Sequence, residues 1–367
     1  SDWLGKTINT GEGPLPITGV TPAGAGTEAT FAYSYTLNAA QAHPAGNGNN
    51  TLPDSVAVAV DGIGGTHGDG TISIVIVDDV PVAHNANAGA LTEDGAATTV
   101  GGNVTTDYNN TFGADGPAAA SPVNWGTATA MLNGGAVNLT DYGTLTQNAN
   151  GTWSFVLDNS KPATQALETG DTINVSFDYT LTDHDSDADS KTITFTINGT
   201  NDTPTITGDS TGAVVEAGNA DPGTVIAGTT STDPGAPTAG TPTVSGTLTA
   251  HDPDAGATAT WSGNAAGTYG SFAVNPTTGV WTYTLDNSKP ATNALAEGAS
   301  ATETFTVTVT DDKGATSPQD VTVTITGAND SPVISYAAGN AAGGVTEDGT
   351  LTTGGQLASA DPDTGHT

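Results

Sequence analysis

Four aspartates occupy alternate positions in one short segment, Thr-Asp-His-Asp-Ser-Asp-Ala-Asp-Ser, which contains Asp183, Asp185, Asp187 and Asp189. Carboxylate oxygens at every second residue can converge on one hard cation if the loop curls, and calcium takes about six to eight oxygen ligands. The segment is not an EF-hand loop, because it lacks glycine at the sixth position and glutamate at the twelfth. We predict a calcium loop here, and the alternative is a solvated acidic hairpin tip.

A second group of acids marks boundaries along the chain. An Asp-Asp or Asn-Asp pair, one further residue and a proline occur together at three places, which end at Pro81, Pro204 and Pro332. Ligands drawn from the linker and from both neighbouring units would lock such a boundary around calcium, and repulsion among the same acids would loosen it without metal. The alternative is a simple turn with exposed acids. The expected ligands are Asp78, Asp79, Glu93 and Asp115 at the first boundary, Asn201, Asp202, Glu216, Asp252 and Asp254 at the second, and Asn329, Asp330, Glu347, Asp361 and Asp363 at the third.

The charge balance agrees with a cation as the partner. The 367 residues include 39 acidic and 5 basic side chains, all five of them lysines, and the formal net charge is -34. Nucleic acid and anionic membrane surfaces are poor partners for such a chain, since it has no arginine to grip phosphate and its overall field is repulsive. Cysteine is absent, which excludes disulfides and thiolate metal sites. With 35% hydrophobic residues, the chain is expected either to be disordered or to fold around bound ions.

The sequence has few of the features that are typical of an enzyme or of a membrane protein. Its six histidines are scattered without an HExxH motif, no nucleophile elbow is found, and the glycine-rich stretches lack the Gly-Lys-Thr that grips phosphate. No apolar run reaches the length of a membrane span. The first residues do not resemble a signal peptide, so we expect a trimmed N-terminus or export without an N-terminal signal.

The chain repeats itself with an offset of 128 residues. The sequence LDNSKPAT occurs at 157–164 and again at 285–292, and the correspondence continues without a gap from the Trp153–Trp281 pair to the Asn-Asp boundaries. The copy of the acidic loop, which begins at Asp311, is poorer in acids, so we expect its site to be weaker or absent. The boundaries predict the back part of a repeat at 1–80, complete repeats at 81–203 and 204–331, and the front part of another at 332–367.

Strand signals dominate inside each repeat. Apolar residues alternate with threonine in the segments 192–197, 304–309 and 321–325, as in half-buried strands. The segment 72–77 is more apolar, which indicates burial on both faces. Trp153 and Trp281 are expected in the core, with a carbohydrate-stacking surface as the alternative. We predict an all-β fold of tandem Ig-like β-sandwiches in an elongated array, with a single helical turn near 163–168 and 291–297.

These motifs resemble a known family. NGTW or TGVW, LDNSKPAT, the TxTVTVTDxxG run and the closing Gly-x-Asn-Asp-x-Pro are similar to the VCBS-type and cadherin-like repeats of giant bacterial type I secreted surface adhesins. The resemblance implies Ig-like sandwiches with calcium-stiffened linkers, on the surface of a Gram-negative cell. It also implies ligand roles for Asn201, Asp202, Glu216, Asp252 and Asp254. The chain departs from the family in having no Gly-Gly-x-Gly-x-Asp repeats and no C-terminal secretion signal.

Two functions from different classes remain open. The first is a passive calcium-stiffened spacer in an adhesin, next to other copies of the repeat. The second is an assembly subunit, in which the front fragment 332–367 of one chain completes the back fragment 1–80 of the next to form a head-to-tail filament. A carbohydrate-binding role, with host or surface glycans bound through other regions as a variant, is a third hypothesis.

Overall fold

The computed structural model of the chain describes residues 3–22, 29–41, 43, 50–61, 65–218, 239–336 and 342–365. The chain divides into two compact units, Ser1–Thr200 and Asn201–Thr367. In the described residues of both units, nearly all of the regular secondary structure is β-strand, and the architecture is a tandem of β-sandwich domains, as the sequence predicted. In the described parts of the chain, no helix is long and apolar enough to cross a membrane.

In the described part of the chain, five strands precede the first complete sandwich. They are β1 (Thr7–Asn9), β2 (Pro14–Thr21), β3 (Thr30–Tyr33), β4 (Thr51–Asp61) and β5 (His67–Val77). The first three form one sheet, and β4 and β5 form a long antiparallel hairpin. A small core of Leu15, Ile17 and Val56 lies between them. The expectation that residues 72–77 are buried on both faces is wrong, because Val75 and Val77 are 59% and 57% exposed on the free face of the hairpin.

The first complete sandwich contains nine strands and two short helical turns. Its strands are β6 (Ala86–Thr92), β7 (Thr99–Asn103), β8 (Val123–Trp125), β9 (Thr129–Leu132), β10 (Gly135–Val137), β11 (Gly143–Gln147), β12 (Thr152–Leu157), β13 (Thr172–Thr182) and β14 (Ala188–Asn198). One sheet has the order β10-β9-β13-β14-β6, with β8 also on β13, and the other has the order β11-β12-β7. The helical turns are Leu139–Asp141, of the 3-10 type, and α1 (Pro162–Gln165).

Local sequence explains the sharpest turns of this sandwich. Asn133 and Gly134 connect β9 to β10 with φ angles of 48° and 89°, the left-handed pair that a two-residue hairpin requires and that an Asn-Gly sequence accepts readily. Pro162 opens α1, where its missing N–H costs nothing.

The second complete sandwich repeats the plan. Its strands are β15 (Thr205–Gly208), β16 (Thr211–Val215), β17 (Thr243–His251), β18 (Ala259–Ser262), β19 (Ala265–Ala266), β20 (Gly270–Val274), β21 (Val280–Leu285), β22 (Ser300–Asp311) and β23 (Thr316–Thr326), with the short helix α2 (Pro290–Asn293). One sheet has the order β15-β17-β21-β20-β19 and the other β16-β23-β22-β18. A separate hairpin follows, with β24 (Val333–Tyr336) and β25 (Leu357–Ala360).

Both sandwiches bury the aromatic residues that the repeat aligns. Trp153 and Trp281 are 3% and 0% exposed, which confirms their prediction as core residues. Trp153 packs against Phe177 with ring centroids 5.1 Å apart, and Trp281 stacks on Phe272 at 5.7 Å. The Trp153–Phe177 pair joins the two sheets of the first sandwich, and in the second sandwich Phe272 stacks on Phe305 of the facing sheet, with ring centroids 4.8 Å apart. Such contacts between sheets fix their spacing, and the acids lie in the loops at the sandwich ends.

Candidate metal centres

A buried glutamate follows the strand of each complete sandwich that pairs in parallel with the last strand. Glu93 follows β6, which runs parallel to β14, and Glu216 follows β16, which runs parallel to β23. Parallel pairing carries each glutamate to the end of its sandwich where the chain leaves, and both are at most 1% exposed. The backbone N–H of each glutamate makes the same hydrogen bond in both sandwiches. Glu93 N–H donates to Asn198 O and Glu216 N–H to Thr326 O, both at 2.9 Å.

The carboxylates of these glutamates accept matching hydrogen bonds as well. Thr200 N–H donates to Glu93 Oε2 at 3.4 Å, and Ala328 N–H donates to Glu216 Oε2 at 3.3 Å. The predicted grouping was different, since Glu93 was expected with Asp78 and Glu216 with Asn201 and Asp202. The correction has a simple reason: the parallel pairing joins the glutamate to the boundary after its own sandwich.

The third boundary is the most complete group of acids in the second unit. We call Glu216, Asp330, Asp361 and Asp363 the third cluster. Asp330 N–H donates to Asp363 Oδ2 at 3.0 Å, and Asp363 N–H donates to Asp361 Oδ1 at 3.0 Å, which is the turn that an Asp-Pro-Asp sequence favours. Glu216, Asp330 and Asp363 are at most 2% exposed. Glu216 Oε1 is buried and accepts no hydrogen bond from the residues that the structure describes.

The second boundary uses the same bonds at the start of this unit. We call Asp202, Asp252, Asp254 and Asp311 the second cluster, with Asn201 beside it. Asp202 N–H donates to Asp254 Oδ2 at 2.8 Å, and Asp254 N–H donates to Asp252 Oδ1 at 3.1 Å. The other oxygen of Asp252 is buried without a hydrogen-bond partner in the described part of the chain.

Asp311 differs from the rest of the second cluster because its carboxylate is already occupied. It accepts hydrogen bonds from the backbone N–H groups of Lys313, Gly314 and Ala315 at 2.6 to 2.9 Å, and from Asn201 Nδ2 at 2.9 Å. Burial acts to raise the pKa of Asp311, but these donors outweigh it and leave the pKa below its ordinary value. The Asp311 carboxylate therefore has little remaining capacity to coordinate a cation.

The first boundary meets the alternating aspartate loop. We call Asp78, Asp115, Asp183, Asp185 and Asp187 the first cluster. The loop joins β13 to β14 and curls at Ser186, whose φ is 83°. Asp187 N–H donates to Asp183 Oδ1 at 2.7 Å, and Asp183, Asp185 and Asp187 are 0%, 8% and 3% exposed. The loop is thus a hairpin tip, but its acids are buried and not solvated.

Among the described residues, the first cluster and the nearby His43 form two triads of potential ligand atoms. Asp115, Asp183 and Asp185 each bring a carboxylate oxygen within 4.8 Å of the others, and His43, Asp78 and Asp185 form a similar triad with a ring nitrogen. Both oxygens of Asp185, one of Asp183 and one of Asp78 are buried and accept no hydrogen bond from any described residue. Buried carboxylate oxygens without a hydrogen-bond donor are suitable ligands for a hard cation, because the cation would replace the water that they lose on burial.

Burial and the proximity of other acids raise the pKa values of several carboxyl groups in the clusters. Burial raises the pKa of Asp183 to about 7, and the nearby Asp185 adds to the shift. Burial likewise raises the pKa of Glu216 to about 7, and the charges of Asp330 and Asp363 add to it. The pKa of Asp78 also rises, mainly through burial and Asp185, with His43 acting in the opposite direction. A divalent cation would relieve this repulsion and favour the ionised forms.

Several predicted ligands lie outside the three clusters. Asp189 accepts hydrogen bonds from Ala83 N–H at 2.9 Å and from Lys191 Nζ at 2.6 Å. Asp79 is exposed and accepts a hydrogen bond from Ala114 N–H at 2.5 Å. Glu347 and Asn329 are both exposed, and the Asn329 amide donates to Asp330 O at 3.1 Å.

His43 is the residue that sequence reasoning missed. Its Nδ1 lies 3.0 Å from Asp78 Oδ1, at angles that fall short of a hydrogen bond. The sequence contains no signal for this contact, since His43 stands 35 residues before Asp78 and belongs to no motif.

Comparison with known proteins agrees with the fold. Residues 201–327, about a third of the chain, match the family model of the bacterial cadherin-like domain, so this segment is similar to a cadherin-like repeat. No curated protein matches the chain.

Solved cadherin structures resemble the chain at low sequence identity. Protocadherin gamma B2 domains 1–5 are 14% identical with a TM-score of 0.34, and the match covers 86% of this chain and 53% of that one. PcdhgB3 domains EC1-4 are 14% identical with a TM-score of 0.37, covering 86% and 67%. Mouse cadherin-23 EC22-24 is 16% identical with a TM-score of 0.33, covering 77% and 75%. The chain therefore spans about half the length of the first of these structures.

Proposed function

We propose that this chain is a calcium-stiffened extracellular repeat region of a bacterial surface adhesin, which holds a binding portion of the protein away from a Gram-negative cell. The role is structural and not catalytic. One observation carries the proposal: the second and third clusters repeat the same hydrogen-bonded arrangement of an Asn-Asp pair and an Asp-Pro-Asp turn. An arrangement that recurs at successive boundaries suits a joint that must be stiffened many times along one molecule.

Calcium is the cation that these ligands favour. The second and third clusters offer carboxylate oxygens, and calcium prefers several oxygen ligands in a flexible arrangement. Glu216 Oε1 and Asp252 Oδ2 are buried and have no hydrogen-bond partner among the described residues, which supports a bound cation because an isolated buried charge is costly. Adhesion to a surface and participation in biofilm follow from this proposal through the resemblance of the repeats to those of bacterial adhesins.

A calcium titration of the metal-free chain tests the proposal. Calcium should raise the melting temperature, and small-angle scattering should report a narrower range of distances between repeats as calcium is added. Magnesium at the same concentration is the control for ionic strength, since it accepts such arrangements reluctantly. An unchanged melting temperature and an unchanged scattering profile in calcium would contradict the proposal.

A head-to-tail filament is the second candidate. The two partial repeats expose apolar side chains, among them Val75, Val77, Leu351 and Leu357, which another copy of the chain could cover. Sedimentation at rising protein concentration in calcium separates the two candidates. A filament predicts growing assemblies, whereas a spacer predicts a constant particle mass, and deletion of residues 332–367 should abolish growth only in a filament.

A further inference from the structure

His43 gives the first cluster a ligand that the other two clusters do not have among the described residues. The His43 side chain is 4% exposed, and neither ring nitrogen has a hydrogen-bond partner among the residues that the structure describes. Asp185 beside it is 8% exposed, with both carboxylate oxygens in the same condition. A buried imidazole and a buried carboxylate without partners are both costly unless a third group joins them.

The geometry suits a cation as that third group. One ligand atom from each of His43, Asp78 and Asp185 lies within 4.8 Å of the other two, and His43 Nδ1 lies 3.0 Å from Asp78 Oδ1. Ligand atoms that share one ion at about 2.0 to 2.6 Å are separated by about 3 to 5 Å. The neighbouring triad of Asp115, Asp183 and Asp185 meets the same condition, and Asp185 belongs to both.

The ligand types of the two triads differ in the ion that they prefer. Calcium and magnesium take oxygen ligands, whereas an imidazole nitrogen suits zinc, nickel, copper and iron. We propose that the first cluster binds two different cations: His43, Asp78 and Asp185 hold a first-row transition-metal dication, for which Zn2+ is the test ion, and Asp115, Asp183 and Asp185 hold Ca2+. This inference deepens the proposed function, on which it rests for the calcium half of the site.

Charge supports a two-cation site. The two triads contain four aspartates, whose four negative charges two divalent ions balance. The competing explanation is a protonated His43 that acts as the counter-ion of Asp78. An imidazolium carries two N–H donors, and in the described part of the chain neither ring nitrogen has an acceptor in hydrogen-bond geometry. A metal ion needs a single lone pair from the ring, so it leaves fewer polar groups unsatisfied.

His67 provides a matched control within the same unit. Its Nδ1 lies 2.5 Å from Asp61 and its Nε2 lies 2.8 Å from Asp69, so the two carboxylates are on opposite sides of the ring. The imidazole is 52% exposed, and both nitrogens are already paired. His67 therefore has aspartate neighbours without forming a triad around one point.

Calorimetric titration of Zn2+ into the metal-free full chain, in excess Ca2+, tests the proposal. We expect one zinc ion to bind despite the calcium, His43→Ala to weaken zinc binding on the order of tenfold or more, and His67→Ala to leave it unchanged. Equal zinc affinity in the His43→Ala variant and the unmodified chain would overturn the proposal. So would displacement of zinc by calcium.

A second measurement uses the unmodified chain and does not depend on the folding of a variant. The imidazole nitrogen signals of His43 in a chain with 15N-labelled histidine should shift when Zn2+ is added and should not shift with Ca2+. No shift with zinc overturns the inference. If calcium still raises the melting temperature in that case, the proposed function survives and only the zinc site fails, whereas loss of both responses contradicts both.

Discussion

The backbone N–H of Asp330 donates a 3.0 Å hydrogen bond to the carboxylate of Asp363, 33 residues further along the chain. Asp202 makes the same bond to Asp254 at 2.8 Å, across 52 residues. The bond orients one carboxylate oxygen by the backbone and draws the Asp-Pro-Asp turn against the boundary. Hydrogen bonds within the protein therefore hold the acids of both clusters in the same arrangement, and a cation can bind to acids that are already positioned.

The Asp330–Asp363 bond allows the structural role of Asp363 to be separated from its role as a ligand. Asp363→Asn keeps an oxygen that can accept the bond and removes the charge, whereas Asp363→Ala removes both. We expect Asp363→Asn to weaken calcium binding with little effect on the metal-free chain, and Asp363→Ala to destabilise the metal-free chain by about 1 kcal/mol as well. Calcium titration and urea unfolding in chelator measure the two effects. If Asp363→Asn binds calcium like the unmodified chain, Asp363 is not a ligand.

Glu216 and Glu347 were both predicted as ligands, but their surroundings differ. Glu216 is fully buried beside Asp330, whereas Glu347 is exposed. Glu216→Gln should lower the calcium affinity of the third cluster on the order of tenfold, because calcium affinity follows the number of charged ligands, and Glu347→Gln should leave it unchanged. Calorimetry on the two variants makes the comparison. Equal effects of the two substitutions would show that burial does not select the ligand.

Much of the fold follows from sequence because the repeat supplies two versions of each strand. Alternating threonine and apolar residues predicted β14, β22 and β23, and the aligned Trp153 and Trp281 lie in the two cores. The segment 72–77 was predicted less well. Its apolar run indicated burial on both faces, but β5 forms a hairpin with β4 that leaves Val75 and Val77 exposed.

The candidate sites could be predicted by residue type but not by grouping. Composition and spacing identified the acids, yet Glu216 lies with Asp330 and Asp363 because β16 runs parallel to β23, and parallel pairing over 100 residues leaves no local mark in a sequence. Asp189 has the spacing of a ligand, but its partner is Lys191. His43 belongs to no repeated motif, so only the folded chain reveals its contact with Asp78.

Tyr283 and Glu303 form a polar pair in the second sandwich, in which the glutamate is half-buried. Tyr283 is fully buried, and its hydroxyl donates to Glu303 Oε2 at 2.6 Å. The repeat has Phe155 and Val175 at the corresponding positions of the first sandwich, both buried. We expect Tyr283→Phe and Glu303→Val each to cost about 1 to 3 kcal/mol, since each leaves a polar partner unsatisfied, and the double variant to cost less than the sum. Urea unfolding of the four proteins gives the coupling, and strict additivity would mean that the pair does not interact.

The same pair predicts how stability depends on alkaline pH. Burial raises the pKa of Tyr283, and the hydrogen bond to Glu303 raises it further. Above the ordinary tyrosine pKa of about 10, the unfolded chain loses this proton while the folded chain retains it. The folded state then binds more protons than the unfolded state, so the free energy of unfolding must fall as the pH rises. Urea unfolding between pH 8 and about pH 11 should show this loss, with a smaller slope in Tyr283→Phe, because the other tyrosines are common to both proteins. Identical slopes in the two proteins would mean that the Tyr283 proton is held no more tightly in the folded chain than in the unfolded one.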